Sequence, residues 1–531
     1  MDQLSRVSNE AQRRRTFAVI SHPDAGKSTL TEALALHAEV IDEAGAVHGK
    51  AGRRGVTSDW MEMERKRGIS ITSAVLQFAY RDHVINLLDT PGHGDFSEDT
   101  YRVLAAVDAA VMLLDAAKGL EPQTLKLFDV CRTRGIPVLT FVNKWDRPGR
   151  EALELLDEVE QTIGLRPMPV TWPVGRAGEL RGLVEIGTGQ FARYSRTAGG
   201  ATRGDVEVLD PEQAAEQEPE HWVAAQEEIA LLREIGAGYD EKEFLAGIAT
   251  PVLFGAALSG VGVGRLLDAL VELAPAPEPR LDAEGEPRPL DTPLSGLVFK
   301  VQAGMDRSHR DRMAFVRICS GRFERGMVLT HAATKRPFAT KYAQAVFGQQ
   351  RTTVEEAFPG DIVGLVNAGA LRPGDTLYEA APVEFPAIPS FAPEHFSVAR
   401  GADAGRFKQF RRGIDQLDSE GVIQVLRSDL RGDQSPVLAA VGPLQFEVVS
   451  SRMADEFGAP VTLEPLSYSV TRRTDAEGAE LLARQAEVEV LERRADGALL
   501  AVFVNKWRLE TIRRKFPDLT LDPLPAGSTD R

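Results

Sequence analysis

The residues that most constrain the fold lie near the start of the chain. The apolar run Phe17–Ile20 is followed by Ser21-His22-Pro23-Asp24-Ala25-Gly26-Lys27-Ser28, and then by a helical pattern over Thr29–His37. A strand feeding a glycine- and lysine-bearing loop that opens a helix is an anion cradle. Gly26 lets the backbone turn so that several N–H groups face one phosphate, and the helix N-terminus adds positive dipole. Lys27 is expected to bridge the β- and γ-phosphates, and the Ser28 hydroxyl to ligate Mg²⁺. The usual pattern begins with glycine where Ser21 stands, but the atoms the chemistry needs are present. Such a loop belongs to a parallel sheet, and the apolar runs Val84–Leu88, Ala110–Leu114, Val138–Val142 and Val252–Phe254 supply further short strands. Helical patterns at Ser97–Ala106, Gln123–Arg134, Glu151–Ile163 and Val263–Leu273 alternate with them. The expected fold class is α/β, a doubly wound sheet whose ligands sit beyond the carboxyl ends of the strands.

Two further motifs sit at such strand ends. Asp89-Thr90-Pro91-Gly92-His93 follows Val84–Leu88. Asp89 is expected to hold Mg²⁺, and Gly92 to offer an N–H to the γ-phosphate with no side chain in the way. Asn143-Lys144-Trp145-Asp146 follows Val138–Val142. The Asp146 carboxylate can accept from N1–H and the exocyclic amine of guanine. Adenine offers neither donor there and would leave the carboxylate unpaired. Asn143 suits the purine N7 and the neighbouring loop, and the Lys144 stem can cover the ring face. After the last strand, Gly255-Ala256-Ala257-Leu258 could present a backbone N–H to the guanine carbonyl, although many such loops carry serine at the position of Ala256. Within Arg67-Gly68-Ile69-Ser70-Ile71-Thr72, Ser70 is the candidate that completes the Mg²⁺ shell when GTP is present, with Thr72 in reserve. The glycine-punctuated stretch from Ala44 to Lys66 reads as a switch.

The stretch between the fourth and fifth strands is longer than a crossover needs, so an insertion is expected near 175–250 on a nucleotide domain spanning 1–275. It contains the acidic, helix-prone run Glu212 to Glu234. The proline-rich segment from Pro275 marks a linker over 276–292. Strand-like runs with glycine turns then predict a β-barrel over 293–384. A second proline-rich joint at 385–389 leads to an α+β sandwich over 385–531. Little chain is expected beyond about residue 470 for a further arm, and no short sequence repeat is found.

Composition excludes several classes. The 531 residues carry a net charge of −16, against a general nucleic-acid coat, although Arg307, His309, Arg310 and Arg312, the pair Arg411 and Arg412, and the run Arg513, Arg514 and Lys515 form local basic groups. Cys131 and Cys319 lack metal or redox spacing and read as small buried hydrophobes in a reducing compartment. No run suits a signal peptide or a membrane span, so a cytoplasmic protein without membrane contact is expected.

Taken together, Asp-Thr-Pro-Gly-His and Arg-Gly-Ile-Ser-Ile resemble the translational GTPases rather than Ras-like proteins. The phosphate loop, Met61–Glu64, Phe96–Arg102, Thr171-Trp172-Pro173 and Pro443-Leu444-Gln445-Phe446-Glu447 narrow the resemblance to the bacterial class II release factors over nearly the whole chain. That resemblance implies a ribosome-stimulated GTPase of translation termination, using GTP/GDP and Mg²⁺. Its partners would be ribosomal RNA and proteins and the class I release factors, and it would act as a monomer. It also implies that His93 orients the attacking water, between apolar Pro23 and Ile69, and that Lys27 serves the same chemistry. Departures from the family pattern are Ser28 and Ser70 for threonine, Gly94 after His93, and Ala256. Competing readings are an elongation factor G-like or tetracycline-resistance-type ribosomal GTPase, and the GTPase subunit of a sulfate-activating complex.

Overall fold

The computed structural model describes residues 3–39, 73–194, 206–303, 312–347, 350–366, 368–428, 431–432 and 435–524. Ser70, Thr72 and the expected switch, Met61–Glu64, Ile69, and the basic residues Arg307, His309 and Arg310 lie outside the described residues.

Seven strands form the first sheet, in the order Ala74–Tyr80, His83–Asp89, Arg14–Ile20, Ala109–Asp115, Val138–Asn143, Ala249–Phe254, Arg166–Pro169. All are parallel except Ala74–Tyr80, which pairs antiparallel at one edge. The strands read as continuous apolar runs because both faces are covered; every residue of Ala109–Asp115 is buried. Side chains alternate between two cores. Phe17 and Val19 pack with Leu30, Leu34, Leu266 and Leu270, whereas Ala18 and Ile20 pack with Val103, Leu104, Phe128 and Val159. The helices are Lys27–His37 and Val263–Leu273 on one side, and Ser97–Leu104, Pro122–Thr133 and Ala152–Ile163 on the other.

Thr171–Val174, Gly182–Glu185, Phe191–Tyr194 and Val206–Leu209 form a separate antiparallel sheet. Two helices, Pro211–Gln217 and Pro219–Glu234, follow it and pack Ala214, Trp222 and Ile229 into one core with Trp172 and Phe191 of the sheet. Asp210 opens the first of them with a reciprocal capping box to Gln213.

An eight-stranded antiparallel sheet lies between Ser295 and Tyr378, with Ser295–Ala303 and Arg312–Ser320 at its centre. Its core includes Val298, Val316, Val363 and Leu377. The last sheet is also eight-stranded and contains a repeat in topology. His395–Gly401, Phe407–Glu420, Gln424–Arg427, Val437–Ala440, Leu444–Asp455 and Val461–Leu466 run strand-helix-strand-strand-helix-strand. The chain beyond residue 470 repeats that order on a smaller scale, ending at Asp522–Pro523. The two units join edge to edge where Gln424–Arg427 pairs with Val488–Arg493.

Buried ions fasten the nucleotide-side sheet to the barrel-side sheet. Arg317, 1% exposed, donates from Nη2 to both oxygens of Asp108 at 2.8 Å, and from Nη1 to the Ala106 carbonyl at 2.7 Å. Arg14 reaches Asp361, and Thr16 Oγ1 donates to the Gly360 carbonyl at 2.8 Å. Both cysteines are buried and unpaired, and burial pushes the Cys131 thiol up to about 12. No helix among the described residues is long and apolar enough to cross a membrane.

Removing one partner of a buried pair strands the other charge. Arg317→Ala is therefore expected to destabilise the protein by about 3 kcal/mol, read as a lower urea midpoint. Asp108→Leu combined with Arg317→Met is expected to recover most of that loss. Equal midpoints for wild type and Arg317→Ala would contradict this account of the joint.

Candidate nucleotide site

Parallel neighbours bring the carboxyl ends of His83–Asp89, Ala109–Asp115, Val138–Asn143 and Ala249–Phe254 to one edge of the sheet, beside the loop that leaves Arg14–Ile20. That loop turns through residues that need unusual backbone. Gly26 has φ +99°, and a Cβ there would lie 2.6 Å from Asn143 Nδ2. Asp24 also takes positive φ. Lys27 begins the helix Lys27–His37, with Ser28 as its second residue, and the Leu30 N–H bonds back to the Gly26 carbonyl at 2.8 Å. Lys27 is only 7% exposed. Its Nζ donates to Ser21 Oγ at 3.0 Å, and Ser21 Oγ donates to the His22 carbonyl at 2.7 Å. Burial lowers the Lys27 pKa to about 8, while Asp89 and Asp24 act to hold the proton. Ala25 is buried and Pro23 half-buried. His22 is expected among the phosphate-binding residues, but its ring is buried, with Nε2 2.6 Å from Glu121 Oε2. Burial lowers the His22 pKa against the pull of that carboxylate. Only the His22 backbone is left to serve a phosphate.

Asp89 ends its strand and is 2% exposed, in register with Val19. Thr90 Oγ1 donates to the Val19 carbonyl at 2.6 Å, and the Pro91 carbonyl accepts from Thr100 Oγ1 at 3.3 Å. These bonds tie the Asp89–His93 segment to the strand that feeds the phosphate loop and to the helix Ser97–Leu104. At Gly92 the approach is closest: a Cβ would lie 2.5 Å from Lys27 Nζ and 3.4 Å from Pro23 Cα. His93 is partly exposed, its Nδ1 accepting from the Asp95 N–H at 3.3 Å and its ring edge-on to Phe96. Gly94 starts the short turn Gly94–Phe96.

The third loop is built around Asn143. Its Nδ2 donates to the Ala25 carbonyl and its Oδ1 accepts from the Ala257 N–H, both at 2.8 Å. One Nδ2 hydrogen remains for a purine N7. Lys144 adopts φ +67°, bonds to the Asp24 carbonyl and places Nζ 2.8 Å from Asp115 Oδ2. Trp145, also among the expected binding residues, is buried edge-on against Phe254 at 5.0 Å, its Nε1 donating to the Gly175 carbonyl. Its ring is packing, not a base platform. Asp146 is half-buried beside it. The Ala256 N–H goes to the Val261 carbonyl at 3.0 Å, so with Ala257 also engaged, Leu258 is the remaining donor of that expected trio.

Sequence reading missed Asp115 and Asp95. Asp115 is raised by burial, but the Lys144 ammonium and the Ala117 N–H hold it below the usual carboxylate range. Its place at a strand end on this edge was the available signal. Asp95 Oδ2 accepts from the Leu444 N–H at 2.7 Å. This bond joins the segment after His93 to the Pro443–Glu447 motif, and nothing in the local sequence announces it.

Among the described residues no cluster of three His, Cys, Asp or Glu side chains could hold a metal. A buried carboxylate at a strand end and a serine hydroxyl on the adjoining helix nevertheless suit a small cation that takes few protein oxygens and keeps several waters.

Gly92 has no unusual φ, so alanine fits the backbone there, and the atom it would strike is the flexible end of Lys27. Gly92→Ala is expected to cost less than about 1 kcal/mol in stability. It is expected to slow GTP hydrolysis about tenfold or more by displacing the ammonium. Parallel urea melts and phosphate-release assays check this, and unchanged hydrolysis would contradict it.

Comparison with known proteins agrees with this geometry. Residues 12–276 match the family model for the elongation factor Tu GTP binding domain, 293–380 that for elongation factor G domain 2, and 385–513 that for the class II release factor RF3 C-terminal domain. Curated relatives called peptide chain release factor 3 include one from Microcystis aeruginosa, 47% identical over 97% of this chain and 96% of its own. Another, from Rippkaea orientalis, is 47% identical over 98% of both chains, and one from Gloeobacter violaceus 46% over 97% and 98%. A crystal structure of a Thermus thermophilus protein superposes with TM-score 0.68 at 22% identity, over 87% of this chain and 70% of that one, a likeness of fold. With a GTP-binding domain and a release-factor C-terminal domain in one chain, and near-half identity along its whole length, this chain belongs to the peptide chain release factor 3 family of translational GTPases.

Proposed function

We propose that this chain is a ribosome-stimulated GTPase of translation termination that promotes departure of class I release factors after the peptide has been freed. The observation that carries the reading is the pairing of two features. Loops suited to phosphate and to guanine are bolted together by Asn143, and the segment after His93 is bonded directly to the start of the helix Leu444–Asp455 in the C-terminal unit through Asp95 and Leu444. A nucleotide-dependent change at Gly92 and His93 therefore has a direct mechanical outlet.

In this reading Ser21, His22, Pro23, Asp24, Ala25 and Gly26 form the backbone cradle around the β-phosphate. Lys27 neutralises charge that builds between the β- and γ-phosphates, and its burial strengthens that attraction. Gly92 donates to the γ-phosphate. His93 orients water for in-line attack, while Asp146 accepts from guanine, the Leu258 N–H meets the guanine carbonyl, and the Lys144 stem covers the ring. Ser28, Asp89 and Ser70 would hold Mg²⁺, which would supply charge neutralisation for the phosphates. In the absence of ribosomes the His93 ring is held by the Asp95 N–H and Phe96. No arginine stands out in the sequence as an internal finger, so hydrolysis is slow until the ribosome repositions His93.

The chain lacks any Gly-Gly-Gln tripeptide, which fits a factor that does not itself free the peptide. The release-factor C-terminal match favours this reading over a translocase or a sulfate-activating subunit. We read the protein as a cytoplasmic monomer, with residues 175–250 as an insertion on a 1–275 nucleotide domain.

The test is a post-termination ribosome carrying a labelled class I factor. GTP-dependent departure of that factor is expected with the wild type. His93→Ala should bind GTP normally, yet lose about 100-fold or more of ribosome-stimulated hydrolysis. Departure without nucleotide, or full hydrolysis by His93→Ala, would refute the proposal.

A further inference from the structure

Charge on the helix Phe407–Glu420 runs against what helix stability asks for. Between 400 and 412 the sequence carries Arg400, Arg406, Lys408, Arg411 and Arg412 against the single acid Asp403, in a chain of net charge −16. The cations gather at the N-terminal half of the helix, where the dipole disfavours them, and the acids Asp415, Asp418 and Glu420 gather at its C-terminal half. The acids have internal partners: Asp415 and Asp418 pair with Arg494, and Glu420 pairs with Arg452. Arg400 and Arg406 are likewise engaged, by Glu464 at 3.1 Å and by Asp403 at 3.5 Å. Lys408, Arg411 and Arg412 are exposed, and among the described residues none of them has an ion-pair or hydrogen-bond partner.

Helical spacing puts 408, 411 and 412 on one side, opposite the buried Phe410, Ile414 and Leu417. Phe407 lies beside them, 43% exposed and stacked on Phe410 with ring centroids 6.3 Å apart. Packing therefore fixes an aromatic face next to three unsatisfied cations. Two of these are planar guanidinium groups, which match phosphate oxygens in pairs and stack on bases.

We infer that this face, carried by Lys408, Arg411 and Arg412 with Phe407 beside them, docks on the sugar-phosphate backbone of RNA. The inference rests on the ribosomal reading above and deepens it by naming the contact surface. An acidic protein could satisfy the charges, but the exposed ring beside them favours a polyanion that also carries stackable bases. Each phosphate neutralised releases counterions, so three contacts contribute about 2–3 to the slope of log K against log salt.

The experiment uses the full chain with Lys408→Gln, Arg411→Gln and Arg412→Gln combined. Binding to ribosomes, and separately to a short A-form RNA duplex, is measured between about 50 and 200 mM salt. The expected result is a salt slope smaller by about 2–3 and an affinity lower by about tenfold or more, with guanine nucleotide binding and urea midpoint unchanged. Phe407→Ala should give a smaller loss that salt does not change. Wild-type slope and affinity in the triple variant would overturn the inference. So would a photo-crosslinker at position 407 that labels only protein on the ribosome. A wild-type protein whose hydrolysis ribosomes do not stimulate refutes the functional reading instead, and the surface then stands or falls on the duplex measurement alone.

Discussion

The site depends on a single buried amide. Asn143 gives its Nδ2 to the phosphate loop at Ala25 and its Oδ1 to the Ala257 N–H, so three loops from three strands share one rigid connector. Each of those groups is out of water, and leaving one unpaired would cost about 1–3 kcal/mol. The same amide crowds Gly26, where a Cβ would lie 2.6 Å from Nδ2. Any larger residue at 26 would push the phosphate loop and the base loop apart. The left-handed turn at Gly26, the placement of Lys27 and the spacing of the two ends of a nucleotide all follow from that contact.

Coupling outward uses the same kind of device. Gln445 accepts from the Val441 and Gly442 N–H groups and donates to the Val422 carbonyl, which fixes the loop that presents the Leu444 N–H to Asp95. Gly442 must be bare, since a Cβ there would lie 2.1 Å from the Asp95 carboxyl carbon. Phe96 packs against Val448 alongside this bond. Arg102, held by Glu98 at 2.6 Å, adds a second tie to the Gly421 carbonyl. Polar bonds set the geometry of the joint, and a small apolar cluster backs them.

Much of the fold was legible because buried parallel strands are continuous apolar runs, as Ala109–Asp115 shows. The edges were not. Ala74–Tyr80 is buried on alternating positions only in part, and Arg166–Pro169 carries two prolines that argue against a strand except at an edge. The second unit beyond residue 470 was hidden because its strands mix charge with apolar residues, as in Val488–Arg493, and its last strand is two residues long. In the site, contiguous motifs could be read because backbone N–H groups, a lysine and a carboxylate at fixed spacing have few other uses. What could not be read were approaches between distant segments, such as Asp95 with Leu444, Asp115 with Lys144 and His22 with Glu121. The burial of the His22 and Trp145 side chains was hidden for the same reason: a residue inside a binding motif can still spend its side chain on the core.

The central claim is that a guanine nucleotide bridges Lys27 and Asp146. The most direct measurement is competition between GTP and XTP for Asp146→Asn. Xanthine replaces the exocyclic amine with a carbonyl, which an asparagine amide can meet as donor while its oxygen still accepts from N1–H. The account predicts that the variant loses about 100-fold or more in GTP affinity and gains preference for XTP. A variant that still prefers GTP would place the base elsewhere and contradict the account.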